Sequence, residues 1–131
     1  MRQILMTAAV LATALTGTAR AEGLKDEAEI RDALLVVGMA YEISQKCESI
    51  DARTVTGIRT LLNLKSRARE LGYSNAEIDA YIDDKAEKKR LEGIARGQLV
   101  QLGVVAEEPE TFCTVGRDQI AKGTGIGRLL R

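Results

Sequence analysis

Cys47 and Cys113 are the only cysteines in this chain of 131 residues, so a single intramolecular disulfide is the most it can form. In an oxidising compartment an even cysteine count reads as a structural bond. Closing a loop of that length stabilises a fold by roughly 4 kcal/mol in the chain-entropy treatment. Against a typical domain stability of about 5–15 kcal/mol, that contribution is large. A redox-active pair is the competing reading. Such pairs usually sit close together with a lowered thiol pKa, whereas these two are far apart in sequence. Any fold for this chain therefore has to bring position 47 against position 113, provided the chain reaches an oxidising environment.

The first residues bear on that condition. Arg2 supplies a positive charge, and Ile4 to Leu15 form an uncharged stretch rich in Ala, Leu and Val. Thr16-Gly17-Thr18 and Ala19-Arg20-Ala21 follow, with small residues at the two positions a signal peptidase reads. That order is the layout of a secretory signal, with cleavage expected between Ala21 and Glu22. The apolar stretch is too short to cross a hydrocarbon core of roughly 30 Å as a helix. With no cysteine after the cleavage point, lipid attachment there is not expected. Residues 1–21 thus read as a signal peptide and 22–131 as one domain. The expected location is the periplasm, and no integral membrane span is expected in the mature chain.

Losing Arg2 and Arg20 leaves 17 basic against 19 acidic side chains, a net charge of −2. A nucleic-acid partner would require a basic face to displace counterions, so none is expected. Only Tyr41, Tyr73, Tyr81 and Phe112 are aromatic, and the core must be built from Leu, Ile, Val and Ala. The patterning is helical throughout. Ile30, Ala33, Leu34, Val37, Tyr41 and Ser44 mark one face of a helix from about Leu24 to Cys47. Its middle is apolar nearly all round, as in a central buried helix, and Gly38 there would let another backbone come close. Asp51 reads as the cap of a second helix, with Val55, Ile58, Leu61, Leu62 and Leu71 on its face and Gly72 at its end. Ser74-Asn-Ala-Glu77 is a capping box opening a third. That third segment continues through the charged run Asp83–Arg90 to Gly103 as either one helix or two. A shorter helix follows from about Glu110 to Lys122, and a glycine-rich tail occupies 123–131. The fold expected is all-α, a small bundle of four to five helices with one disulfide.

Chemistry-bearing candidates are sparse. With no histidine in the chain, Ser-His and Cys-His catalysis and the commonest metal ligand are all absent. Asp79 with Asp83, and Asp83 with Glu87, are spaced four apart. They could hold a cation or do acid–base work, but neighbouring Lys85, Lys88 and Lys89 fit a salt-bridged solvent face equally well. Gly123, Gly125 and Gly127 do not follow a strand, as phosphate loops do, and read as a flexible linker. No catalytic, cofactor-binding or metal residue is assigned, and no cofactor is expected. The charge run Lys85, Lys88, Lys89 and Arg90 is a solvated face or a partner contact. In the tail, Ile126, Arg128, Leu129 and Leu130 either dock on the core beneath the disulfide or contact a partner.

Several stretches also carry a resemblance: Cys47-Glu-Ser-Ile-Asp-Ala-Arg53, Leu71-Gly-Tyr-Ser74, Asp84-Lys85 with Lys88-Lys-Arg90, and Phe112-Cys-Thr-Val-Gly-Arg117 running into Gly127-Arg-Leu-Leu130. Together they resemble the domain-of-unknown-function family 5333, small exported helical proteins of alphaproteobacteria. The resemblance covers about residue 26 to the end. It implies an exported helical protein with paired cysteines and assigns no activity. The function expected is therefore a non-enzymatic periplasmic module that binds another protein or serves as an accessory subunit. The alternative is an acid- or stress-responsive holdase. An enzyme working with carboxylates alone is a third reading, and it would need two carboxyls in one cleft.

Overall fold

Helix α1 (Ala28–Lys46) is the axis of the molecule. In the computed structural model, which describes residues 23–131, four further helices surround it: α2 (Thr54–Glu70), α3 (Asn75–Ile82), α4 (Lys85–Leu102) and α5 (Pro109–Lys122). Short 3-10 turns at Leu24–Asp26 and Gly127–Leu129 bracket them. The signal segment and the Ala21–Glu22 cleavage point lie outside the described residues. The fold is all-α, as the periodicity implied, and its helices carry the expected punctuation. Ser74 Oγ accepts the Glu77 N–H at 3.1 Å while the Ser74 N–H donates to the Glu77 carboxylate at 2.7 Å. Pro109 opens α5, where its missing N–H has no helical partner to lose. Gly103 and Gly123 end α4 and α5 in the left-handed conformation.

The charged run that left one helix or two open contains a break. The Asp83 N–H closes α3 onto the Asp79 carbonyl, and the Asp84 side chain then accepts the Glu87 N–H at 3.0 Å, starting α4. A second expectation fails at Asp51. Helix α2 starts three residues later, and Arg53, at its N-cap, makes no side-chain cap bond. The Asp51 backbone is engaged instead in a short antiparallel bridge with the chain end: its N–H donates to the Arg131 carbonyl at 2.8 Å and its carbonyl accepts the Arg131 N–H at 2.9 Å.

The Cys47–Cys113 disulfide is formed, with Cα atoms 5.1 Å apart, and joins the end of α1 to α5. Around it lies the main core. Leu35, Met39 and Ile43 of α1 pack with Leu99 of α4 and with Phe112 and Val115 of α5. Gly116 sets how closely α5 approaches, since a Cβ there would come within 2.6 Å of Ile50 Cδ1 and 2.8 Å of Ile43 Cγ2. The tail completes this core and is no linker. Gly127 abuts the Gln119 backbone so closely that a Cβ has no room. Ile126, Leu129 and Leu130 are buried, Leu130 to 1 % exposure. Of the four tail residues offered as partner contacts, only Arg128 faces solvent. The three apolar ones are spent on the core, because burying them there removes more apolar surface from water than leaving them free.

A smaller satellite core joins Leu24, Ile30, Ala68 and Ile78 beneath Tyr73 and Tyr81. It ties α2 and α3 to the first turns of α1. Ion pairs Arg67–Glu29 (2.9 Å) and Lys65–Asp79 (3.3 Å) run along its edge. Being largely exposed, each contributes little to stability.

Candidate functional site

Opposite the main core, α1 presents a second apolar column formed by Ile30, Leu34, Val37 and Tyr41. Their spacing of four, three and four residues keeps them on one face. This column is the floor of a solvent-open groove of about 800 Å³. One wall is α2, through Ile58, Leu61, Leu62 and Ala68, and the other is α4, through Leu91 and Ala95. Ile78, Tyr81 and Ile82 of α3 close one end beside Leu24. Gly38 lies at the junction with α4: a Cβ there would meet Ala95 Cβ at 3.7 Å, an ordinary contact. A side chain of alanine size would therefore fit at position 38, and the close backbone approach expected there is not what the glycine serves. On the other side α2 leans on α1 mainly through Ala68, its one buried residue.

The apolar face that the spacing marks on α2 is largely exposed. Ile58, Leu61 and Leu62 are 54, 43 and 59 % exposed, and Val55 is 71 % exposed. Among the described residues this face is a wall that no other element covers. Contiguous apolar surface of this kind marks a recognition site more often than a single exposed leucine does.

The polar groups at the groove are largely satisfied from within. Arg96 of α4 reaches the Glu42 carboxylate at 3.1 Å and Glu92 at 3.9 Å, holding α4 to α1. Glu87, buried in the first turn of α4, accepts two bonds from Arg90 (2.7 and 2.8 Å) and one from the Tyr81 hydroxyl (3.4 Å). The Arg90 guanidinium holds the Glu87 carboxyl below its ordinary range, against the opposing effect of burial. Burial and the adjacent Glu87 charge push the Tyr81 phenol up. In a smaller cleft beyond Leu24 and Tyr81, Tyr73 donates to Glu27 at 2.7 Å, and that bond raises its phenol to about 12. Lys65 pairs with Asp79, whereas Lys88, also on the lining, has no ion pair among the described residues.

The geometry separates the carboxylates singled out earlier. Asp79 faces Lys65. Asp83 caps α3, and the break at Asp84 places it on a different helix from Glu87. Among the described residues no group of three or more His, Cys, Asp or Glu is placed to hold a metal ion. No helix among them is long and apolar enough to cross a membrane. The disulfide is buried, Cys47 to 1 % exposure, with Ser49 Oγ 3.3 Å from Cys47 Sγ.

The Cys-containing segments, now seen joined, and the docked Gly127-Arg-Leu-Leu130 tail are the stretches that carried the family resemblance. A family profile covers residues 22–131. The chain belongs to DUF5333, a family of unknown function. No curated protein and no solved structure matches it. Family membership therefore fixes kinship without chemistry, and the groove is the feature of this DUF5333 protein that asks for a function. Its wall residues were all visible in the sequence, but their spacing is also what a buried helix shows. The one signal pointing elsewhere was the composition of α2. It carries Arg59, Lys65, Arg67 and Arg69 against a single acid, Glu70, which is more charge than a helix enclosed on all sides tolerates.

Proposed function

We propose that this protein is exported to the periplasm, where residues 22–131 act as a non-catalytic binding or accessory module whose groove receives an apolar surface of another protein. The uncovered face of α2 carries the reading: Ile58, Leu61 and Leu62 stand at the edge of a trough whose floor and far wall are also apolar. Export is supported by the signal-like order of residues 1–21, by a formed disulfide and by a family match that starts at residue 22. A non-enzymatic role is supported by the lack of histidine and by lining carboxylates already committed to Arg96 and Arg90.

A photo-crosslinking residue at Ile58, compared with one at exposed Gln101 outside the groove, tests the proposal in the native periplasm. The expected result is a discrete adduct from Ile58 that is absent from Gln101. Equal labelling from both positions, or recovery of the chain from cytosol at full length, would overturn it. A holdase role would also use exposed apolar residues, but at low affinity and for many clients. It would give a smear of adducts from Ile58 and would suppress light scattering by an aggregating protein.

A further inference from the structure

We infer that the occupant of the groove is one amphipathic α-helix of a partner protein, apolar on the docked face and flanked by carboxylates. This deepens the binding-module reading and rests on it.

Shape is the first argument. From Ile30 to Tyr41 the floor runs eleven residues of α1, about 16 Å at 1.5 Å per residue. Helix α2 lines it from Ile58 to Ala68, a similar length. A helix three turns long and about 10 Å across occupies roughly 1,250 Å³. The groove, at about 800 Å³, takes about two-thirds of such a cylinder and leaves its polar side in water. The walls are themselves helices packed on a common helix, so an incoming helix would complete the bundle with ordinary side-chain interdigitation. A single acyl chain is thinner than a helix and would fill the trough less completely.

Charge is the second argument. Among the described residues five charged side chains line the groove: Glu42, Lys65, Glu87, Lys88 and Glu92. The three acids are paired with Arg96 or Arg90, and Lys65 with Asp79. Lys88 alone among them lacks an ion pair within the described residues. It sits in the first turns of α4 with Lys85 and Lys89 close by in sequence. An incoming carboxylate would gain a partner there, while an incoming cation would meet only neutralised acids. A second copy docking through α2 would bring no carboxylate to Lys88 from that helix except Glu70, already paired with Arg67. It would also set Arg59 and Arg69 of each copy, which have no ion pair among the described residues, against each other.

The test uses the mature chain and two capped helical peptides of three to four turns. Both carry leucine at helical spacing; one has glutamate on the flanks and the other lysine. Binding is followed by fluorescence anisotropy at low salt, with palmitate as a third ligand and sedimentation to report self-association. The glutamate peptide is expected to bind at least tenfold tighter than the lysine peptide. In Lys88→Glu, a surface change whose folding is checked by circular dichroism, that ratio is expected to fall at least threefold, and Leu61→Gln is expected to weaken both peptides. Equal affinities, an unchanged ratio in K88E, palmitate binding in place of peptide, or a dimer dispersed by Leu61→Gln would each overturn the inference. Should Ile58 crosslink a discrete periplasmic protein while neither peptide binds, the helical occupant is wrong and the binding module survives. Failure of both experiments removes both.

Discussion

The two faces of α1 are apolar to a similar degree and meet different fates. The column Leu35, Met39 and Ile43 is sealed by α5, the disulfide and the docked tail. The column Ile30, Leu34, Val37 and Tyr41 is roofed only at its α3 end and is otherwise the floor of a groove. Tyr41 remains 58 % exposed. The contrast teaches that covalent and tail-docking stabilisation is concentrated on one face. With that face closed, the chain can leave the other open and still fold. An apolar face left open forgoes the stability that its burial would add.

Mutations on the two faces should therefore behave differently, and the largest effect belongs to the closed one. Replacing both cysteines by alanine is expected to cost about 4 kcal/mol, lowering Tm by about 15 °C in a calorimetric scan. A loss of only a few degrees would mean that α5 and the tail hold without the bond. Next comes Leu130→Ala, at about 3 kcal/mol by denaturant titration, because the site is fully enclosed and cannot collapse. Gly127→Ala should be comparable, since its Cβ collides with the Gln119 backbone. An effect near zero for either would show that the tail is not part of the core.

Glu87→Gln, at the α3 end of the groove, is expected to cost about 1 kcal/mol at neutral pH. Its dependence on pH has a definite sign. The folded-state pKa of Glu87 is depressed by Arg90, so the carboxylate stabilises the fold above the unfolded value of about 4.3. That contribution is lost as pH falls through the folded value. The gap between wild type and variant should close below about pH 4, and a gap that widened in acid would contradict the assignment. The smallest effect is expected on the open face. Leu62→Gln should leave stability within about 0.5 kcal/mol of wild type. If it cost as much as Leu130→Ala, the difference between the faces would vanish.

Local rules were legible from the residues alone wherever local chemistry decides. Ser74 with Glu77, Gly103 ending α4 and the Cys47–Cys113 pairing all appeared as read. The break before α4 could also have been read, since Asp84 followed by Glu87 repeats the cap pattern of Ser74 and Glu77. Asp51 misled because its backbone had a better partner in Arg131, eighty residues away and invisible to a local rule. The tail glycines misled for a similar reason: Gly127 is a position of close approach, which looks like flexibility until its neighbour Gln119 is known. Most consequential, Ile58, Leu61 and Leu62 carry the spacing of a core helix. Periodicity says which side of a helix is apolar. It does not say whether anything covers that side, because coverage depends on how many neighbours the rest of the chain can supply.

Hydrogen exchange on the mature chain, alone and with the glutamate-flanked peptide, tests most directly the idea that α2 is an uncovered wall awaiting a helix. In the free protein the amides of α2 should exchange by local opening, faster than those of α1 and α5. With the peptide, protection should rise in α2 and the first turns of α4 and stay unchanged in α5. Protection of α2 already equal to that of α5 without peptide, or a gain confined to α5 and the tail, would contradict the account.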